Sequence, residues 1–377
     1  MENHEEGSDM KAHELISRFK NKFRVIEYTS HHVREYEQKG KASNVSWCGE
    51  HLEPFFEKHM INEDDVILTI MDADSWAPSV YIDEIEEHIA HNPDKMHVTI
   101  FQAQQIFTRN HLEVPVFTRV YDMMHAYAHT SQLFSFLDIT FPLSNYSISY
   151  SYIKRVGFWD TVPDAIGEDF HTTQKAFWKS NGDMVTKPIY ITFNQVNIST
   201  GNGYWEDVKA RFWQGERHAQ GVADVAYNFK MLFNNPPSFR GFVMVVLVLE
   251  TCILPALVPW VFISLMYQQH ILYHYTKPSP ELYSAEFLSY FFNLLTLFSV
   301  LSYGIFEFMK RRNNSLIYQR ENESILRILE YPLLISVNIF LFSIPAFTIA
   351  TFKVLFSQRD YVVAEKKNAT VKEIESI

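Results

Sequence analysis

The 377-residue sequence lacks several features that would place it in a large class of proteins. It has only two cysteines, Cys48 and Cys252, which lie far apart in the chain and imply no disulfide framework. A net charge of −11 argues against nucleic acid as the main partner. There is no P-loop, no Gly-x-Gly-x-x-Gly fingerprint and no internal repeat. Residues 1–22 are polar and charged, so we expect no signal peptide there.

A short apolar run, residues 67–70, is followed by two carboxylates, Asp72 and Asp74. Successive apolar residues predict a strand that is buried on both faces, as in a parallel sheet. Because side chains alternate along a strand, both carboxylates should point to the same side. At the carboxyl end of a strand in an α/β sheet, such a pair suits a hard divalent cation that carries a phosphate. An Asp-rich turn after a strand is the plainer alternative.

Strand and helix patterns alternate along the first 204 residues, which predicts a layered α/β domain. The predicted strands cover residues 23–28, 97–104 and 185–198, and the predicted helices cover 54–62, 80–92 and 117–137. The polar turn at residues 39–44 can hold phosphate or simply connect a strand to a helix. His125 and His129 have the i, i+4 spacing of a zinc pair, although a polar helix face or ordinary packing is the commoner origin of such a pair.

A second acidic group, Glu168 and Asp169, follows Gly167 and precedes a helix predicted from Thr172 to Ser180. The helix dipole favours acids at a helix N-terminus, which is a purely structural explanation. A carboxylate that is placed and partly desolvated in a cleft can also act as a catalytic base. Both explanations remain open from the residues alone.

Three long apolar runs dominate the C-terminal part, at residues 241–267, 287–308 and 333–356. Crossing a hydrocarbon layer of about 30 Å needs roughly 20 residues, so we predict three transmembrane helices within residues 240–377. Residues 205–239 precede them and begin with an amphipathic helix. That helix can lie in the membrane interface or pack on the domain.

Basic residues predict the orientation of these spans. The loop between the second and third runs contains Lys310, Arg311, Arg312, Arg320 and Arg327, whereas the first loop has only Lys277. The positive-inside rule places the second loop, and with it the N-terminal domain, on the cytosolic side of the plasma membrane or of a Golgi or ER membrane. The C-terminal tail, with a glycosylation sequon at Asn368, is then expected outside or in a lumen.

The order Asp72-x-Asp74, Gly167-Glu168-Asp169, Gln214-x-x-Arg217 and then apolar spans resembles the membrane-embedded family 2 glycosyltransferases. Cellulose, chitin and hyaluronan synthases belong to that family. The turn at residues 39–44, Lys-Gly-Lys-Ala-Ser-Asn, resembles the family's Gly-Lys-Ala-x-x-Asn turn. The likeness runs from about Phe23 to the end of the first span.

The resemblance implies a GT-A fold, an α/β domain with a Rossmann-like mixed sheet, over residues 1–204. It implies inverting transfer of a sugar from a UDP- or GDP-sugar to a hydroxyl of a glycan or lipid acceptor at the membrane. Asp74, with Asp72, would hold Mn²⁺ or Mg²⁺ against the diphosphate, where the ion neutralises developing charge. Asp169, beside Glu168, would take the proton from the acceptor hydroxyl. The implied substrate-binding residues are Lys41, Asp72, Gln214, Arg217 and His218.

Two departures from the family pattern limit what the resemblance implies. His218 stands where the family has a Trp that stacks on the acceptor sugar, so processive polymerisation is not implied. The family's domain begins with two further strands, so this domain is expected to be N-terminally incomplete, with an exposed sheet edge. A catalytically inactive membrane scaffold or partner subunit is therefore the alternative hypothesis. A channel or transporter fragment built on Glu250 is a weaker one.

Overall fold

The computed structural model describes residues 7–111, 113–161, 167–275, 280–313, 330, 333 and 337–356. The described helices are α1 Ser8–Phe19, α2 Lys41–Glu50, α3 Glu53–His59, α4 Val80–His91, α5 Val116–Leu133, α6 Tyr150–Val156, α7 Glu168–Lys179, α8 Tyr204–Ala219, α9 Asp224–Asn234, α10 Phe239–Cys252, α11 Leu254–Tyr275, α12 Pro280–Asn313 and α13 Ile344–Leu355. A π-helical segment, Val337–Ser343, leads directly into α13. The strands are β1 Ile67–Ile70, β2 Thr99–Phe107, β3 Tyr146–Ser149 and β4 Val185–Gln195.

These four strands form one mixed sheet in the order β1-β3-β2-β4. Strand β3 runs antiparallel to both β1 and β2, whereas β4 runs parallel to β2. The register pairs Ile70 with Tyr146 and Phe107 with Gln195. The last residues of β1, β2 and β4 and the first residue of β3 therefore lie at one end of the sheet, which we call the upper end.

The sheet confirms the predicted α/β class but differs from the prediction in two places. Strand β1 is antiparallel to its neighbour and is the outermost strand of the described sheet, which leaves Thr69 exposed. The strand predicted at residues 23–28 is wrong, because this segment is neither helix nor strand. Its apolar residues Phe23 and Tyr28 remain exposed, so no burial stabilises a strand there.

Helices cover both faces of the sheet. On one face, Tyr81 and Ile85 of α4 pack against Phe101 and Phe193 of the sheet. On the other face, a larger core brings together residues of β1, β2, β3, α6, α7 and α10. Burying a side chain of this size contributes about 1.5–3 kcal/mol, so both faces hold the strands in place.

The first predicted span is divided and partly belongs to the domain. The apolar run at 241–267 breaks at Ile253 into α10 and α11, rather than forming one helix. Met244 and Val248 of α10 are buried in the same core as Trp178, whereas Val246 on another face of α10 is exposed. A helix that is apolar on all sides can bury one face in a protein and present the other to its surroundings.

One described segment, Val337–Leu355, is long and apolar enough to cross a membrane by length and composition. It lies within the third predicted span. A shorter apolar stretch, Ser289–Ile305, lies within the second. Most of the basic loop and the whole C-terminal tail, residues 314–329 and 357–377, lie outside the described residues. The three-span arrangement and its orientation therefore stay predictions.

Candidate active site

Four segments of the chain meet at the upper end of the sheet around the ammonium group of Lys41. The Nζ atom of Lys41 lies 2.8 Å from Oδ1 of Asp72 and 3.4 Å from Oε1 of Glu168. It also donates a hydrogen bond to the carbonyl oxygen of Ser144. Lys41 thus connects the start of α2, the turn after β1, the loop before β3 and the start of α7.

Two glycines set the approach of the two helices that carry Lys41 and Glu168. Gly40 has φ 135° and Gly167 has φ 95°, values that side-chain-bearing residues rarely adopt. Each glycine is followed at once by the first residue of a helix, which is Lys41 in α2 and Glu168 in α7. The acids at the start of α7 are also favoured there by the helix dipole. The structural and the catalytic explanation of these acids are therefore compatible.

Asp169 is held by backbone groups. Its Oδ2 accepts a hydrogen bond from the N–H of Ser144 at 2.7 Å, and its Oδ1 accepts one from the N–H of Phe170 at 2.9 Å. The side chain is half-buried. An ionised carboxylate is acceptor-only, so these donors orient it and leave it able to take a proton.

The charges of this cluster influence one another. Burial and, after it, the negative charge of Asp169 raise the pKa of Glu168 to about 7, while the charge of Lys41 opposes them. Burial lowers the pKa of Lys41, but the charges of Glu168 and Asp72 outweigh burial and leave it raised. At neutral pH, Lys41 is therefore charged, and Glu168 holds its proton more tightly than an ordinary carboxyl group. Neighbouring groups with perturbed pKa values are typical of functional sites.

Asp72 and Asp74 belong to a turn held at both ends. The N–H of Asp72 donates to Oδ1 of Asn145 at 2.8 Å, and the carbonyl oxygen of Asp74 accepts a hydrogen bond from Arg109 at 3.0 Å. Within the described residues, no three His, Cys, Asp or Glu side chains are grouped as a metal cage. An Mg²⁺ or Mn²⁺ ion bound together with a diphosphate needs only one or two carboxylates, so these hard oxygen donors fit such an ion.

Gln214, the first residue of the α8 motif, is connected to α5 through Arg211 instead. The Oε1 atom of Gln214 accepts a hydrogen bond from Arg211 at 2.8 Å, and Arg211 forms a buried ion pair with Asp122 at 2.5 Å. The ring of His218 lies 6.3 Å from that of His125. The structure therefore brings Lys41, Asp72, Glu168 and Asp169 together but does not bring Gln214 into that contact network.

The two histidines of α5 are neutral. Burial lowers the pKa of His125 to about 4 and that of His129 to about 3. Both ring nitrogens of His129 are buried and have no hydrogen-bond partner among the residues that the structure describes. Neither histidine belongs to a metal-binding group among the residues described.

Sequence patterns did not identify Ser144 and Asn145, which contact three of the predicted site residues. The only available signal was a Ser-Asn pair, typical of turns, immediately before a short strand. The buried pair of Arg211 and Asp122 is also absent from the sequence predictions, because an amphipathic pattern places basic residues on the solvent side of a helix.

Comparison with known proteins supports the resemblance. A family model described as glycosyl transferase family group 2 matches residues 67–306, which is more than half of the 377-residue chain. The match includes Asp72, Asp74, Glu168, Asp169 and the α8 motif, whereas Lys41 precedes it. No curated protein matches the chain. The chain belongs to glycosyl transferase family group 2.

Proposed function

We propose that this chain is an inverting glycosyltransferase that moves a sugar from a UDP- or GDP-sugar to a hydroxyl of a glycan or lipid acceptor. The observation that carries the proposal is the convergence of Asp72, Glu168 and Asp169 around Lys41 at the upper end of the sheet. Membership of the family supports glycosyl transfer in general. The donor, the acceptor and the roles of the residues are our inference.

In this proposal, Asp169 accepts the proton of the acceptor hydroxyl as that oxygen attacks the anomeric carbon. The Ser144 N–H keeps the carboxylate oriented for this transfer. Attack on the face opposite the departing diphosphate inverts the configuration. A divalent cation held by Asp72 and Asp74 would neutralise charge on the diphosphate when bound. Lys41 would bind and orient the same anionic end of the donor.

The surroundings of α8 support a site beside a membrane surface. Trp205 is 67% exposed and Trp213 is 40% exposed, whereas Arg211 on the same helix is fully buried. Exposed tryptophans are typical of the membrane–water interface, where their rings fit between lipid and water. We therefore propose a membrane-associated acceptor and a cytosolic domain, as the basic residues of the second loop predict.

The test uses the purified full-length protein in detergent, with Mn²⁺ and a panel of UDP- and GDP-sugars. Release of nucleoside diphosphate is the measurement. We expect Asp169→Asn to reduce turnover about 10²- to 10⁴-fold, because a general base is lost. Binding of Mn²⁺ and nucleotide should be retained. The control is Asp183→Asn, an exposed acid after α7, which should keep normal turnover. Normal turnover in Asp169→Asn would remove the base role.

The open edge of the sheet favours the alternative of a catalytically inactive scaffold. Strand β1 is the outermost strand of the described sheet, whereas the family pattern has two further strands before it. A cavity of about 390 Å³ lies beside β1. Lys41, Cys48, Leu68 and Met71 are among its lining residues. Calorimetric titration with UDP and GDP in the presence of Mn²⁺ separates the two hypotheses. Tight binding that is lost in Asp74→Ala would contradict an inactive scaffold.

A further inference from the structure

Two consecutive residues before β3, Ser144 and Asn145, contact both acidic parts of the site. The main chain of Ser144 donates its N–H to Asp169 and accepts a hydrogen bond from Lys41 at its carbonyl oxygen. The side chain of Asn145 accepts the N–H of Asp72. The base and the cation-binding turn are therefore tied to adjacent positions of one loop.

Asn145 holds both ends of the turn that carries the two aspartates. Its Oδ1 accepts the Asp72 N–H at 2.8 Å, and its Nδ2 donates to the Oγ of Ser75 at 2.9 Å. The turn has its own closing bond, from the Ser75 N–H to the Asp72 carbonyl at 3.0 Å. The Asn145 side chain is completely buried and its partners Asp72 and Ser75 are half-buried, so losing either bond would leave partly desolvated polar groups without that partner.

Glutamines of the next two strands fix the orientation of the Asn145 carboxamide. Nδ2 of Asn145 donates to Oε1 of Gln105 at 2.9 Å, and Gln195 donates to the same oxygen at 2.7 Å. Gln105 in turn donates to the main-chain carbonyl of Asn145 at 3.3 Å. Because Gln105 Oε1 accepts two amide donors, Asn145 must direct its NH₂ group inward and its oxygen toward Asp72. A satisfied buried network of this kind rigidifies its members.

The backbone of Ser144 adopts a conformation that favours glycine. Its φ is 42°, in the left-handed region, where a residue with a side chain is strained. Such a conformation persists only when the surroundings determine it. Here the surroundings are the bonds from Ser144 to Asp169 and Lys41 and the burial of the neighbouring Asn145.

We propose that Asn145 is a positioning residue that fixes the Asp72–Ser75 turn relative to Asp169. It keeps the part of the site that binds the donor diphosphate at a fixed distance and orientation relative to Asp169, the base that activates the acceptor. This inference rests on the proposed function, because it assigns a purpose to that same site. Asn145 itself touches neither donor nor acceptor.

The first test is Asn145→Ala in the full-length protein. We expect the Kd for Mn²⁺ with UDP or GDP, whichever the wild type binds, to rise about 10- to 100-fold, as for other residues that support metal ligands. We also expect faster hydrogen exchange at the Asp72 amide, because its acceptor is lost. Turnover should fall by at least the same factor, since misplacement by about 1 Å can cost about 10²-fold.

The matched control is Asn197→Ala. Asn197 is equally buried, and its side chain bonds to Asn110 and to the Phe107 carbonyl instead of to residues of the turn. Asn197→Ala should lower the melting temperature about as much as Asn145→Ala does, but it should leave the Kd and the hydrogen exchange at the Asp72 amide unchanged. Ser75→Ala is a second, milder variant in case Asn145→Ala does not fold. Losing one hydrogen bond should raise the Kd about 2- to 10-fold.

The outcomes separate the inference from the proposed function. If Asn145→Ala and Ser75→Ala keep the wild-type Kd and Asp72 exchange, or if Asn197→Ala changes them equally, the positioning role is overturned. If the wild type neither binds Mn²⁺ with nucleotide nor releases nucleoside diphosphate, the proposed function fails. Hydrogen exchange at Asp72 would then still decide whether Asn145 holds the turn.

Discussion

At the residue scale, His171 is placed between two carboxylates. Its Nδ1 lies 2.7 Å from Asp224 and its Nε2 lies 3.0 Å from Asp160. Burial lowers the pKa of His171, but the bonds to the two aspartates outweigh burial and raise it to about 9. The imidazolium therefore ties α7, which begins with Glu168, to α9. Lys175 and Tyr227 are the other titratable groups beside it.

This arrangement predicts a loss of stability at high pH. The pKa of folded His171 is above the ordinary 6.5, so its contribution is complete below pH 6.5 and disappears as the pH rises through about 9. We expect a loss on the order of 2 kcal/mol, discounted for partial exposure. Melting curves between pH 6 and 10 measure it, and His171→Gln should lack this part of the pH dependence. Identical pH profiles of stability for the wild type and His171→Gln would contradict the prediction.

The buried pair of Arg211 and Asp122 supports a second prediction at this scale. Both side chains are 2% exposed, and the guanidinium also lies over the ring of Tyr121. Arg211→Met should destabilise the protein by about 3–5 kcal/mol, because it removes the positive charge that compensates the buried Asp122 carboxylate. Denaturant unfolding measures this loss. Lys209→Met, at an exposed position of the same helix, should change stability by less than about 0.5 kcal/mol.

Some of the site was predictable from single residues and some was not. The acids at 72, 168 and 169 follow local patterns, namely a strand end and a helix start. The contact from Asp72 to Asn145 joins positions 73 residues apart and depends on the register of β1 against β3. No local pattern contains that register. The burial of an arginine such as Arg211 also cannot be predicted from hydrophobic periodicity, because its partner lies on another helix.

At the element scale, β3 shows the limit of hydrophobic patterns. It was not predicted as a strand, since it contains Ser147 and Ser149. Both serines are buried, and Ser147 bonds to Thr69 and Tyr81. The polar positions are thus satisfied inside the sheet, so a strand with little apolar character occupies its interior. Helices with acids in the first turn and clear periodicity, such as α4 and α7, were predictable because their signals are local.

Helix α10 gives a prediction that distinguishes core packing from lipid exposure. Met244 is completely buried against the domain, whereas Val246 of the same helix is 43% exposed. Met244→Ala should therefore lower the free energy of unfolding of the domain by about 2–5 kcal/mol. Val246→Ala should change it by less than about 1 kcal/mol. Equal effects of the two variants on domain melting would show that α10 does not pack as described.

At the scale of the whole molecule, polar contacts connect the α/β domain to the C-terminal helices. Arg119 of α5 bonds to Glu330 at 2.9 Å, and Tyr127 of α5 bonds to Ser302 of α12 at 2.6 Å. Glu216 of α8 lies 3.2 Å from Lys353 of α13. Several charged and hydroxyl groups therefore determine how the domain is seated on the apolar helices.

The predicted orientation can be tested with the sequons of the chain. If the domain and the second loop are cytosolic, only Asn368 should be glycosylated when the protein is expressed in a eukaryotic cell. Asn313 and Asn322 carry sequons in the second loop and serve as internal controls. We expect a shift in gel mobility that glycosidase treatment and Asn368→Gln both abolish. Glycosylation of Asn313 or Asn322 would show that the orientation is the opposite of the predicted one.

The position of α10 in the domain core has a consequence for biosynthesis. Because Met244 and Val248 complete that core, the α/β domain cannot finish folding until this apolar segment has left the ribosome. The same segment has the composition that membrane-insertion machinery engages. Folding of the domain and delivery to the bilayer would then be a single coupled event. A truncated protein that stops at Asn235 would lack part of its interior and aggregate.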